Sequence, residues 1–141
     1  MPVLPKHRSY SSDTVRTMPY ENELKIAVQA VRDAAKVCRK VQAALVTAET
    51  LEKKDKSPVT VADFASQAVV CKALADAFAG DRVVGEEGAK DLVGEDATAL
   101  RDAVVSHTAE VVGDSATEDA VLEWVGRKDR DLLVSEIYES L

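Results

Sequence analysis

Residues 54–64 read Lys54-Asp55-Lys56-Ser57-Pro58-Val59-Thr60-Val61-Ala62-Asp63-Phe64, and Val83-Val84-Gly85-Glu86-Glu87 follows about one helix further on. Proline lacks the amide hydrogen that a helix interior needs, and it pushes the preceding residue toward extended geometry. The polar stretch Glu52–Pro58 is therefore predicted to be a loop. Thr60 is predicted to cap the next helix, with Asp63 three residues on, where a carboxylate answers the free amides of the first turn. Phe64, Ala68, Cys71, Leu74 and Phe78 recur at helical spacing and predict its buried face. Gly80 and Asp81 end this helix, and Arg82–Val84 predict a short strand stopped by Gly85.

Upstream, Leu24, Val28, Val31, Ala35, Cys38 and Leu45 recur at the same spacing and predict one amphipathic helix from Tyr20 to about Leu51. Downstream, Leu100, Val104, Thr108 and Val111 predict a helix ending near Gly113. Thr117 with Glu118 and Asp119 opens a short one through Val125, and Leu133, Ile137 and Leu141 suggest a last turn or two. Residues 1–19, with Pro2, Pro5 and Pro19, have no apolar stripe and are predicted to be a flexible tail. One strand exposes unpaired edges on both sides and is not stable without neighbours. Its partners are expected near Leu132–Val134, in another chain, or in sequence this chain does not contain.

The 141 residues fit one domain. Lys and Arg number 18 against 25 Asp and Glu, a formal charge of -7, which argues against polymeric nucleic acid or an anionic membrane as partner. No apolar run approaches the roughly 18 residues of a membrane span. Aromatic residues make up only 4%, so the core is expected to rest on Ala, Val and Leu. Cys38 and Cys71 give neither a disulfide framework nor a zinc spacing, and both are predicted to be small core residues in a reducing compartment. Arg8, Arg16 and the serines of the tail match a mitochondrial presequence in composition but not in pattern. A cytoplasmic location is expected, with the mitochondrion as the alternative.

Hard cations such as Mg²⁺ take oxygen ligands, and a carboxylate leaving a strand end beside a helix start is well sited to hold one against a phosphate. Asp63, Glu86 and Glu87 are the candidates of this kind. Each also has a plain reading, Asp63 as a helix-start charge and the two glutamates as the solvated part of a turn. His107 has no Cys or second His nearby and is predicted to be a surface residue.

Lys54–Phe64 followed by Val83–Glu87 resembles the start of the 3'(2'),5'-bisphosphate nucleotidases, of the inositol monophosphatase superfamily. The preceding helix, with Tyr20, Glu21, Glu23, Leu24, Ala27, Gln29, Ala30, Val31, Arg32, Ala34, Cys38, Val41 and Gln42, is similar to the family's opening helix. The similarity covers Tyr20 to about Leu92. The resemblance implies an α/β fold, a layered inositol monophosphatase-like sandwich, of which this mostly helical chain holds the N-terminal helices and first strand. Residues 20–141 then form a partial domain, well matched over 20–92 and loosely over 93–141.

The activity implied is Mg²⁺-dependent removal of the 3'-phosphate from adenosine 3',5'-bisphosphate, giving AMP, in sulfate assimilation and nucleotide turnover, with lithium and sodium as inhibitors. Carried over, Glu86 is a metal ligand, Glu87 a weaker candidate, and Asp63 acts on the attacking water or as an outer ligand. Asp55, Ser57 and Thr60 belong to the mobile segment that shapes access to the site. The family's Trp-x-x-Asp-Pro-Ile-Asp-Gly-Thr motif is missing, since Trp124 is followed by Val125, Gly126 and Arg127. The resemblance therefore implies a truncated member, inactive alone, that binds Mg²⁺ weakly. The alternative is a non-catalytic helical interaction protein that self-associates through exposed apolar faces.

Overall fold

The computed structural model describes residues 18–46 and 58–127. They form four helices, α1 (Glu21–Val46), α2 (Pro58–Ala77), α3 (Thr98–Val112) and α4 (Glu118–Val125). Two 3₁₀ turns, Ala89–Leu92 and Glu95–Ala97, lead from α2 to α3. Residues 1–17 of the tail, the Asp55–Ser57 part of the loop, and Leu132–Val134, Ile137 and Leu141 lie outside the described residues.

α2 is the centre of the bundle, with α1, α3 and α4 all packed on it. Its residues Phe64, Ala65, Ala68, Val69 and Cys71 are buried, and they share a core with Val37 and Val41 of α1, Val104 of α3, and Val121 and Val125 of α4. Small and branched side chains let the helices close tightly, as the low aromatic content requires. Leu74 and Phe78 are only half-buried, because α2 ends at Ala77 near the rim of the bundle.

The helix start differs from its expected position. α2 begins at Pro58, which suits a first helical position because its missing amide hydrogen has no intrahelical partner to lose. Thr60 is therefore the third residue of the helix and not its cap, and Asp63 lies beyond the first turn. α1 ends at Val46 in the described residues, short of Leu51.

α1 carries two apolar stripes, and the one facing inward is Ala30, Val37 and Val41. Leu24, Val28 and Val31, at 57%, 40% and 66% exposure, belong to the other, which faces solvent. Cys38 is exposed as well, although its Sγ lies 3.2 Å from Ser66 Oγ of α2, so only Cys71 is a core cysteine. Both stripes obey helical spacing, and the small Ala30 on the inner one lets α1 approach α2 closely.

No strand is present among the described residues. Arg82–Val84 is extended but only Val83 has the character of a single bridge residue, and Val84 is 68% exposed. A single bridge residue is too short a pairing to count as a strand. The described residues are thus mostly helical.

The two later helices match their sequence signals. Gly113 closes α3 with φ 83, in the left-handed region glycine tolerates, and its amide donates to the Ala109 carbonyl at 2.8 Å. The Thr117 hydroxyl accepts from the Ala120 amide at 3.2 Å and caps α4. Thr117→Ala is expected to cost about 1 kcal/mol, read as a lower urea midpoint at unchanged slope. An unchanged midpoint would mean that this cap adds nothing. No helix among the described residues is long and apolar enough to cross a membrane.

Candidate functional site

Asp63 and Gln67 lie one turn apart on the same face of α2, and helical side chains lean toward the N-terminus, so the Gln67 amide reaches back toward the level of Asp63. That amide meets the Gly85–Glu87 segment. Its oxygen accepts from the Glu87 N–H at 3.0 Å, while its nitrogen donates to the Glu87 carbonyl at 2.8 Å and to the Val125 carbonyl of α4 at 3.1 Å. Both backbone polar groups of Glu87 are thus held by one side chain, as a strand neighbour would hold them.

Gly85 explains how the segment comes so close. A Cβ there would stand 2.7 Å from Oε1 of Gln67 and 2.8 Å from its other amide atoms, closer than side-chain carbons approach. Only glycine admits the amide at this distance. Beyond the turn, Gly88, Ala89 and Leu92 are buried, and the Leu92 carbonyl accepts from an Arg101 nitrogen at 2.9 Å. The turn is therefore tied to the bundle at both ends.

The fold brings the Glu86–Glu87 turn against Gln67, one turn along α2 from Asp63. Asp63 and Glu86 are exposed, Glu87 and Thr60 are half-buried, and Asp55 and Ser57 lie outside the described residues. These hard oxygen donors are the right kind for Mg²⁺. They are not gathered into one cluster, because no three His, Cys, Asp or Glu side chains among the described residues are grouped to hold a metal ion. The described residues alone do not make a complete Mg²⁺ site.

Other candidates do not gather here. His107 is half-buried and not at the surface, with Nδ1 3.6 Å from Glu110 Oε1, and its side chain is only 16% exposed. Burial pushes the Cys71 thiol above its ordinary value despite the opposing charge of Arg127, which makes it a poor nucleophile. A cavity of ≈ 340 Å³ opens beside Trp124, Glu123 and Arg127 and contains none of the candidate carboxylates Asp63, Glu86 and Glu87. Gln67 itself escapes a sequence reading because an amide does not titrate. Its only sequence signal is its place one turn after Asp63.

No family model matches the chain. Curated proteins do match it. The chain is 33% identical over 128 residues to 3'(2'),5'-bisphosphate nucleotidase 2 of Candida albicans, covering 89% of this chain and 34% of that protein. It is 42% identical over 93 residues to 3'(2'),5'-bisphosphate nucleotidase 1 of the same species, covering 64% and 25%. With 3'(2'),5'-bisphosphate nucleotidase 1 of Arabidopsis thaliana it shares 47% over 77 residues, covering 53% and 22%. By name these relatives are phosphatases of doubly phosphorylated nucleotides. The chain is homologous to the 3'(2'),5'-bisphosphate nucleotidases and spans about a third or less of the length of these relatives.

Proposed function

We propose that the chain carries the first carboxylates of a Mg²⁺-dependent phosphomonoesterase site that removes the 3'-phosphate of adenosine 3',5'-bisphosphate. The observation that carries this reading is the run of nucleotidase matches over a region that contains Asp63, Glu86 and Glu87. Electrostatics supports the cation, since a chain of formal charge -7 repels a bisphosphate unless Mg²⁺ stands between the carboxylates and the phosphate oxygens. In this reading Glu86 is the principal ligand and Glu87 a second one. Asp63 accepts the proton of the attacking water, and Asp55, Ser57 and Thr60 shape access. The reaction belongs to sulfate assimilation and nucleotide turnover, is inhibited by lithium, and takes place in the cytoplasm.

The same reading makes the chain inactive by itself. Its 141 residues lack the Asp-Pro-Ile-Asp-Gly-Thr motif that supplies further ligands, so Mg²⁺ is held weakly and mostly by water. Phosphate release from adenosine 3',5'-bisphosphate by the purified chain, with and without Mg²⁺, is the test. No release is expected. Mg²⁺-dependent release that disappears in Glu86→Gln would refute the inactivity and retain the site.

The outward stripe of α1 favours a second reading, a non-catalytic module that self-associates, because Leu24, Val28 and Val31 face solvent together. Sedimentation velocity is expected to show a dimer that Val31→Glu converts to monomer. A wild-type protein that is monomeric at high micromolar concentration removes this reading.

A further inference from the structure

We propose that Gln67 is the positioning residue for the carboxylate turn: its amide, by bridging Glu87 and Val125, fixes where Glu86 and Glu87 stand relative to Asp63. This rests on the functional reading in which those carboxylates work together. Glu86 lies in a non-helical turn, where the place of a side chain depends first on how the backbone is held. Gln67 supplies that hold at both polar groups of the next residue, from the same face of α2 that bears Asp63. The third bond, to the Val125 carbonyl, fixes the amide itself, since a terminal amide gripping only a loop could turn with it. That carbonyl is near the end of α4, where helical oxygens lack intrahelical donors. Gly85 completes the arrangement, because any side chain at that position would displace the amide.

Chemistry also selects glutamine. Glutamate keeps the acceptor for the Glu87 amide but loses both donors and sets a charge against two carbonyl oxygens; leucine loses everything at similar size. Hydrogen exchange followed by NMR on the full chain separates these cases. The Glu87 amide is expected to be protected in the wild type and to exchange roughly tenfold faster or more in Gln67→Leu. Gln67→Glu keeps the acceptor for the Glu87 N–H and loses the donors to the Glu87 and Val125 carbonyls, so the Glu87 amide is expected to exchange at a rate between those of the wild type and Gln67→Leu. Simple loss of packing would show no such gradation. Gly85→Ala is expected to mimic Gln67→Leu, and the two together should add little beyond either alone.

Protection of Glu87 that survives Gln67→Leu, or additive effects of the two variants, would overturn the proposal. If Gln67→Leu fails to fold, Gly85→Ala and the intermediate exchange of Gln67→Glu decide the matter in its place. Phosphate release plays no part in this readout, so failure of the nucleotidase reading and failure of the positioning role are told apart.

Discussion

Phe64→Ala is expected to remove about 3–5 kcal/mol of stability, the largest single loss among buried positions of this chain. Phe64 is 3% exposed and is the only aromatic side chain in the buried core of the described residues. Two terms add: the transfer of the ring's apolar surface back to water, and the cavity it leaves. The second term should be large here because the partners are mostly Ala and Val, such as Val37, Val41, Ala65 and Ala68. Short and branched side chains have few rotamers with which to fill a ring-sized void. A domain of this size has roughly 5–15 kcal/mol in all, so the variant should sit near its folding threshold. Urea titration followed by helical circular dichroism reads the loss, and an apparent cost under about 1 kcal/mol would show that the helices can close over the gap. Phe78→Ala, at a half-buried rim position, should cost clearly less.

Legibility of the fold follows from how local each determinant is. α3 and α4 are readable because their ends are set by nearby residues: Gly113 supplies the left-handed turn and Thr117 the capping oxygen. The α2 start misleads because proline is compatible with two positions, the last residue of a loop and the first of a helix. α1 misleads for a less local reason. Its outward stripe of Leu24, Val28 and Val31 is larger and more apolar than the inward Ala30, Val37 and Val41, and hydrophobicity alone selects the wrong face. Which face is buried depends on the shape of α2, which periodicity does not encode. Arg82–Val84 is the same lesson for strands, since an extended residue becomes a strand only through a partner.

The site is partly legible by the same measure. The carboxylates Asp63, Glu86 and Glu87 are visible as residue types at suggestive places, and the structure sets the Glu86–Glu87 turn against Gln67, one turn along α2 from Asp63. What joins them is not visible, because Gln67 and Gly85 have no charge or motif chemistry of their own. Their role exists only as contact, a 2.8 Å bond and the absence of a Cβ.

Glu86→Gln tests the chemistry assigned to these carboxylates. Made at the matching position of a full-length 3'(2'),5'-bisphosphate nucleotidase, it is expected to bring Mg²⁺-dependent phosphate release to the level of controls without Mg²⁺. The substitution keeps size and one oxygen but removes the charge, and Mg²⁺ selects for charged, hard oxygen donors. Changes to residues that only orient ligands cost roughly 10–100-fold, so loss of a ligand should exceed about 100-fold. In the present chain the same change should leave stability within about 0.5 kcal/mol, because Glu86 is exposed. That pairing of outcomes, chemistry lost and fold kept, separates a ligand from a structural residue. Glu87→Gln should fall between the two, since its half-buried side chain ranks second for the cation while its backbone, held by Gln67, is untouched by the change. Full activity in Glu86→Gln would remove Glu86 from the ligand set and leave Glu87 as the only candidate of that turn beside Asp63.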